Sequence, residues 1–417
     1  MRRKAEQRPA LKRRQFLLAS GLLSLQACNA RYGARLFNPC ESGLPDDILG
    51  DELVAAALDG IDGEQLWDGH VHLIGTGDSD RGIWLNPRMQ RFYHVKDFLQ
   101  FRFYLNAACV GGDSVDLGFL QRLLALQKEM PKGARALLLA FDFTYSETGE
   151  KQPQLSAFHT PNDYAAATAR DYPDHFEWVA SIHPYRKDAE AAVHEAAAQN
   201  ARAVKWLPPA MGMNPASELC DPFYRAMTAT GLPLLVHAGE EKAVHGANRQ
   251  DYGNPLLLRR PLQQGVKVII AHCASLGVSD DLEHQQRGKL SNFELFSRLM
   301  EDKEYEGLLF GEISAMTQVN RLGKPLDTLL ERQDWHHRLI NASDYPLPAV
   351  MPLFSLGKLV KGKYISEQQA AILAKVRDYN ALLFDLLLKR MLRHHGQGFQ
   401  DIVFSSRRIF QTASASS

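Results

Sequence analysis

The sequence predicts an α/β fold, a closed (β/α)8 TIM barrel with a long insertion after its first strand and extra helices at its C-terminal end. Three observations predict it. From Leu66 onward, short strand-like apolar runs alternate with helical patterns, as in βα units on a parallel sheet. Eight such strands can be drawn over roughly 330 residues, the number that closes a barrel with long loops. No Gly-rich phosphate-binding turn follows any of them, which weakens the open doubly wound sheet as the alternative.

Taken in order, the chain starts with a segment unlike the rest. Met1 to Arg14 carry seven Lys and Arg, and Phe16 to Ala27 form an apolar run too short to cross a bilayer as a mature helix. That succession reads as an export signal. Arg13-Arg14-Gln15-Phe16-Leu17 resembles the twin-arginine motif, and Leu25-Gln26-Ala27-Cys28 resembles a bacterial lipobox. Residues 1–28 are therefore expected to direct export. The protein is expected on the periplasmic side, held to a bacterial membrane only through a lipid on Cys28.

Residues 29–45 read as a linker, Asp46–Leu58 as a short helix, and 46–395 as the barrel domain. The expected strands are Gln65–His72, Arg135–Phe143, Phe176–His183, Ala203–Leu207, Pro233–His237, Val266–His272, Glu306–Ile313 and Arg338–Ala342. Helical patterns separate them, for example Leu117–Glu129, Pro161–Asp171, Asp188–Gln199 and Asn292–Glu301. The stretch 75–112, rich in aromatics, reads as either a lid or a packed insertion. Gln368–Arg393 is strongly helical and would cover the bottom or flank of the barrel. The polar remainder, 396–417, reads as a tail that frays from Ser405.

Composition excludes some classes of function. Lys+Arg and Asp+Glu both number 48, so no bulk charge drives nucleic-acid binding, though a local basic patch stays possible. A small-molecule substrate as partner, with oligomerisation left open, is compatible with that balance. Cys40, Cys109, Cys220 and Cys273 match no zinc-ribbon spacing and read as buried small side chains. An exported protein could also join some of them, though spacing alone pairs none.

The chemistry starts at Asp68-Gly69-His70-Val71-His72. At a strand end, His70 and His72 leave the same face of the pleat and present two imidazoles on rigid backbone. Alone the pair means little, since 15 His in 417 residues give about half an H-x-H by chance. Its company matters more. Lys205, His237, His272 and Asp344 lie at the downstream ends of later strands, and in a parallel barrel such ends share one mouth. His183 and Glu312 could reach the same mouth, with packing or support of a ligand as their more ordinary role.

This ordered set of H-x-H, Lys, His, His and Asp, spanning about residues 65–385, resembles the amidohydrolase superfamily, and most closely its amidohydrolase-2 branch. The resemblance implies a divalent metal, zinc above others, held by His70, His72, His237 and Asp344. His272 would polarise the substrate or bind a second metal. Lys205 would be a ligand only if carboxylated between two metals. It implies hydrolysis of an amide, ester, lactone or related bond by a metal-activated water, with Asp344 and His272 as the catalytic pair. Some relatives instead decarboxylate aromatic or unsaturated acids. A non-catalytic metal-binding lipoprotein is the third reading.

Overall fold

The computed structural model describes residues 35–411 except Gly111. Eight parallel strands form its centre: β1 Trp67–His72, β2 Arg135–Leu139, β3 Phe176–Val179, β4 Val204–Trp206, β5 Leu234–His237, β6 Val268–Ala271, β7 Leu309–Glu312 and β8 Leu339–Ile340. β1 to β3 pair in one sheet and β4 to β8 in another. Backbone hydrogen bonds carry each sheet into the other. At one seam the Ala180 N–H donates to the Ala203 carbonyl (3.0 Å) and the Lys205 N–H to the Ala180 carbonyl (2.7 Å). At the other, the Asp344 N–H donates to the His70 carbonyl (2.8 Å) and the His72 N–H to the Tyr345 carbonyl (3.0 Å). Among the described residues, both outer strands of each sheet are bridged to the other sheet, as closure of a barrel requires.

Several expected strands end early. β2 stops at Leu139 and β3 at Val179. Ala140 and Ala180 still bond to the neighbouring strand, and the backbone after them turns to side chains and loop residues, as with the Asp142 N–H on Ser181 Oγ (3.0 Å) and the Ser181 N–H on Asn162 Oδ1 (2.8 Å). Asp142, for example, accepts from the His183 N–H and from the Arg186 guanidinium, both at 3.0 Å.

Alternation along the strands fills the interior. Trp67, Leu137, Leu139, Val179, Ala203, Leu235, Ile269, Phe310 and Ile340 face the axis and pack together. Their floor comes from an unexpected source. Ile409 and Phe410, in the short helix Arg407–Phe410, insert beneath this layer, and Phe410 is fully buried. The expected fraying from Ser405 is thus corrected: the Ser406 hydroxyl accepts from the Asn341 N–H (3.1 Å), and the Arg407 N–H donates to the Gln65 carbonyl (3.1 Å). Polarity of the tail as a whole hides two apolar residues that a barrel bottom can bury.

Two further expectations change. The described part of the linker is packed, with the Asn38 N–H on Asn106 Oδ1 (2.8 Å) and the Leu44 N–H on Glu129 Oε1 (3.1 Å). Cys40 and Cys109 are joined in a disulfide, while Cys220 and Cys273 are free and buried. The pairing was unreadable because 69 positions separate the two in sequence. The insertion 75–112 forms a two-residue ribbon strand Trp84–Leu85 against Phe158–His159 and the helix Val95–Ala107. The Tyr104 hydroxyl on that helix donates to the Ala243 carbonyl (3.2 Å), so the helix roofs the barrel mouth. The signal and lipobox, 1–28, lie outside the described residues.

Candidate metal centre

The side chains of the mouth sit two residues above the interior layer. Ala203 is followed by Lys205, Leu235 by His237 and Phe310 by Glu312, the period-2 step that keeps one face. β1 reaches the same arrangement by a different route. Asp68 pairs with Ala136 and Val71 with Leu138, so β1 carries one extra residue. Such a bulge changes which face later side chains use. Val71 joins the outer core, and His70 and His72 turn inward. Gly69 is needed there: a Cβ would lie 3.1 Å from Phe410 and 3.3 Å from Ile340.

His72, His70, Lys205, His237, His272 and Asp344 all line one cavity of about 1090 Å3. Within it, Asp344 Oδ1 is 3.4 Å from His70 Nε2 and 3.1 Å from His72 Nε2, while Oδ2 is 3.6 Å from His272 Nε2. One ligand atom each from His70, His272 and Asp344 falls within 4.8 Å of the others, close enough to share an ion. This group overlaps the expected ligand set without coinciding with it. His272 is inside it. His237 stands beside it, with Nε2 3.3 Å from Glu241 Oε2 and its ring centroid 5.4 Å from that of His272. Lys205 is also outside the group; its buried ammonium has no hydrogen-bond partner.

Glu312 explains the grouping. Its Oε1 accepts from His70 Nδ1 (3.2 Å), from the His272 N–H (2.8 Å) and from the Ser314 hydroxyl (2.8 Å). The Ser314 Oγ in turn accepts from His272 Nδ1 (2.7 Å). With both Nδ1 atoms engaged as donors, both Nε2 atoms present lone pairs to the cavity, which is how carboxylates behind ligand histidines set tautomer and aim. The same network holds a strained turn, since His272, Cys273 and Ala274 have φ of 54°, 48° and 49°. That turn breaks the strand's alternation and brings His272 to Asp344. Asp68 ties the seam beneath: it accepts from the Ser343 N–H (2.7 Å) and the His70 N–H (3.2 Å), and burial pushes its carboxyl up to about 6.

Electrostatics favour a cation. Burial holds His70, His237 and His272 well below the usual imidazole range, so all three are neutral ligands in waiting. Burial alone would raise Asp344, but the neighbouring His70 and His72 outweigh it and hold the carboxyl below its ordinary value. His70 Nε2 and His237 Nε2 are buried without a hydrogen-bond partner. Buried polar atoms are normally satisfied, so these orphans fit a metal at this spot. Glu312→Ala should lower metal affinity about 10–100-fold, measured by competition with a chromogenic chelator. Unchanged affinity would remove Glu312 from the site's support.

Several contributors escaped the sequence. Arg321, buried in the loop after β7, reaches the mouth, with Nη1 donating to Ser275 Oγ (2.8 Å) and Nε unpaired. Glu241 caps His237, and burial raises its carboxyl to about 7. No motif flags either one, since both come from irregular loops. Glu312 was expected at the mouth from its strand, and Ser314 follows from it by the same period-2 step. His183 does not join: its Nε2 is bonded to the Met211 carbonyl (3.1 Å) and its Nδ1 accepts from the Tyr185 N–H (3.2 Å).

Residues 67–381 match a family model described as Amidohydrolase (Amidohydro_2). No curated protein matches the chain. Among solved structures the chain is similar to a probable 2-pyrone-4,6-dicarboxylic acid hydrolase from Acinetobacter baumannii, at 14% identity over 74% of this chain and 95% of that one, with TM-score 0.43. It is similar to a 5-carboxyvanillate decarboxylase from Sphingomonas paucimobilis, at 12% identity over 75% and 97%, with TM-score 0.37. It is also similar to an uncharacterized TIM-barrel protein from Bordetella bronchiseptica, at 16% identity over 71% and 90%, with TM-score 0.42.

Proposed function

The chain belongs to the amidohydrolase family, in its amidohydrolase-2 branch, and from that premise we propose that it is a metal-dependent hydrolase of a small anionic molecule, cleaving an amide, ester or lactone bond. The observation that carries this reading is the buried group of His70, His272 and Asp344, with imidazole lone pairs aimed into a cavity large enough for a small substrate. His70, His272 and Asp344 would hold the cation, zinc by the preference of imidazole and carboxylate donors, with His72 and His237 at its flanks. When bound, such an ion polarises a carbonyl and brings the pKa of water down toward about 7.

The chain's own groups supply the rest. Asp344, with one oxygen toward His70 and His72 and the other toward His272, is placed to take a proton from the attacking water and pass it to the leaving group. Lys205 and Arg321 put two buried, incompletely paired cations into the mouth. They favour a substrate bearing a carboxylate, because an unpaired buried charge is costly and an anion would relieve it. Burial holds the Lys205 ammonium down to about 8, and binding an anion there would raise it.

The same two cations favour a second reading, decarboxylation of an aromatic or unsaturated acid. A panel of lactones, amides and aromatic carboxylates, assayed separately for acid release and for CO2, decides between them. CO2 without hydrolysis would overturn the hydrolase. Metal content per chain in wild type and Lys205→Ala then assigns the lysine: a fall from two to one or none supports a bridged pair, and one metal in both leaves Lys205 to the substrate. By the reading of residues 1–28, the reaction takes place on the periplasmic side, at the membrane surface.

A further inference from the structure

The roof of the mouth is apolar on its outside as well as its inside. Phe92, Tyr93, Val95 and Leu99 are between 50% and 76% exposed. Val95, Leu99 and Phe103 follow one another at i, i+4, i+8 and so form a single stripe on the helix Val95–Ala107, which runs along the rim of the roof, since Val95 and Phe103 also border the cavity. Phe37 continues the stripe by stacking on Phe103, ring centroids 5.8 Å apart, and is itself 58% exposed beside the exposed Leu36. Soluble surfaces rarely gather large apolar side chains in this way, and such patches mark contact surfaces.

Its charge identifies the kind of partner. Between Asn86 and Ala107 stand four basic residues, Arg88, Arg91, Lys96 and Arg102, all exposed, against one acid, Asp97. Asp97 is already faced by Arg88 (3.8 Å) and His245 (3.4 Å). The chain as a whole is neutral, so this excess is local. Exposed Lys and Arg beside an apolar patch are drawn to an anionic bilayer surface. The course of the chain agrees. Phe37 lies nine residues after Cys28, the residue read as lipidated, so an extended chain holds the patch within about 30 Å of that anchor.

We infer that the outer face of the mouth's roof, Leu36–Phe37 with Phe92, Tyr93 and Leu99, docks on an anionic lipid surface and presents the mouth of the barrel to it. The inference uses the export reading for the nearby membrane and is independent of the reaction catalysed. The form to test is the mature chain of the export reading, starting at position 28 and carrying Cys28→Ser so that no lipid is attached. Without the lipid, it should sediment with phosphatidylethanolamine/phosphatidylglycerol vesicles at low salt and not with phosphatidylcholine alone. Phe92→Ser/Tyr93→Ser/Leu99→Ser should cut the bound fraction at least tenfold while its thermal midpoint stays that of wild type. Should that variant fail to fold, Arg91→Ser/Lys96→Ser/Arg102→Ser should abolish the preference for the anionic vesicles. Wild type that ignores both vesicles overturns the inference, as does a triple variant that binds undiminished. So does a wild-type dimer in the ultracentrifuge that the triple variant turns to monomer without vesicle binding, since the face would then join two copies of this chain.

Discussion

Asp344→Asn is expected to reduce turnover by about 10²–10⁴-fold, the range for loss of a positioned proton-transfer group. The substitution keeps the shape of the side chain and removes both its charge and its basicity. Of the three side chains that fall within 4.8 Å of one another, Asp344 is the only anion, so the amide would face a divalent cation with no negative charge opposite. Metal affinity should fall as well, and the two effects are separable. Turnover measured at saturating metal isolates proton transfer, and titration of the metal isolates ligation. A variant that retains wild-type turnover at saturating metal would exclude Asp344 from the proton's path.

Phe410→Ala is expected to destabilise the fold by about 3–5 kcal/mol, the cost of truncating a fully buried aromatic that a rigid site cannot refill. Here collapse is hindered because the surrounding atoms belong to strands held in a ring. The lost ring also lies directly under Gly69, next to the bulge that turns His70 inward. Loss of stability should therefore come with weaker metal binding, although Phe410 does not line the mouth. Denaturant unfolding and a metal titration on the same samples test both. A midpoint unmoved by the substitution would mean that the C-terminal segment does not form the floor in solution.

Both expectations depend on how local and long-range information divide in this chain. The eight strands were legible because apolar runs bounded by helical patterns are local signals, and a parallel sheet reads as such runs. The meeting of His70, His72, Lys205, His237, His272 and Asp344 in one cavity follows from their strand ends, since a barrel has a single mouth. The boundaries were less legible. Beyond Ala140 and Ala180 the chain still carries apolar residues such as Phe141 and Ile182, yet its backbone bonds turn to loop residues and side chains, and composition cannot show that.

The residues themselves determined an alternating α/β chain whose strands end in imidazoles, a lysine and a carboxylate. Tertiary structure alone decided which of those groups lie close enough to share an ion. It placed Glu312 behind two rings 242 and 40 positions away from it, brought Arg321 to the mouth, joined Cys40 to Cys109, and used Phe410 as a floor. The physical reason is the same in each case. Strand periodicity is set by neighbours two residues apart, whereas a side-chain network forms only after closure of the ring brings distant strands within hydrogen-bonding distance.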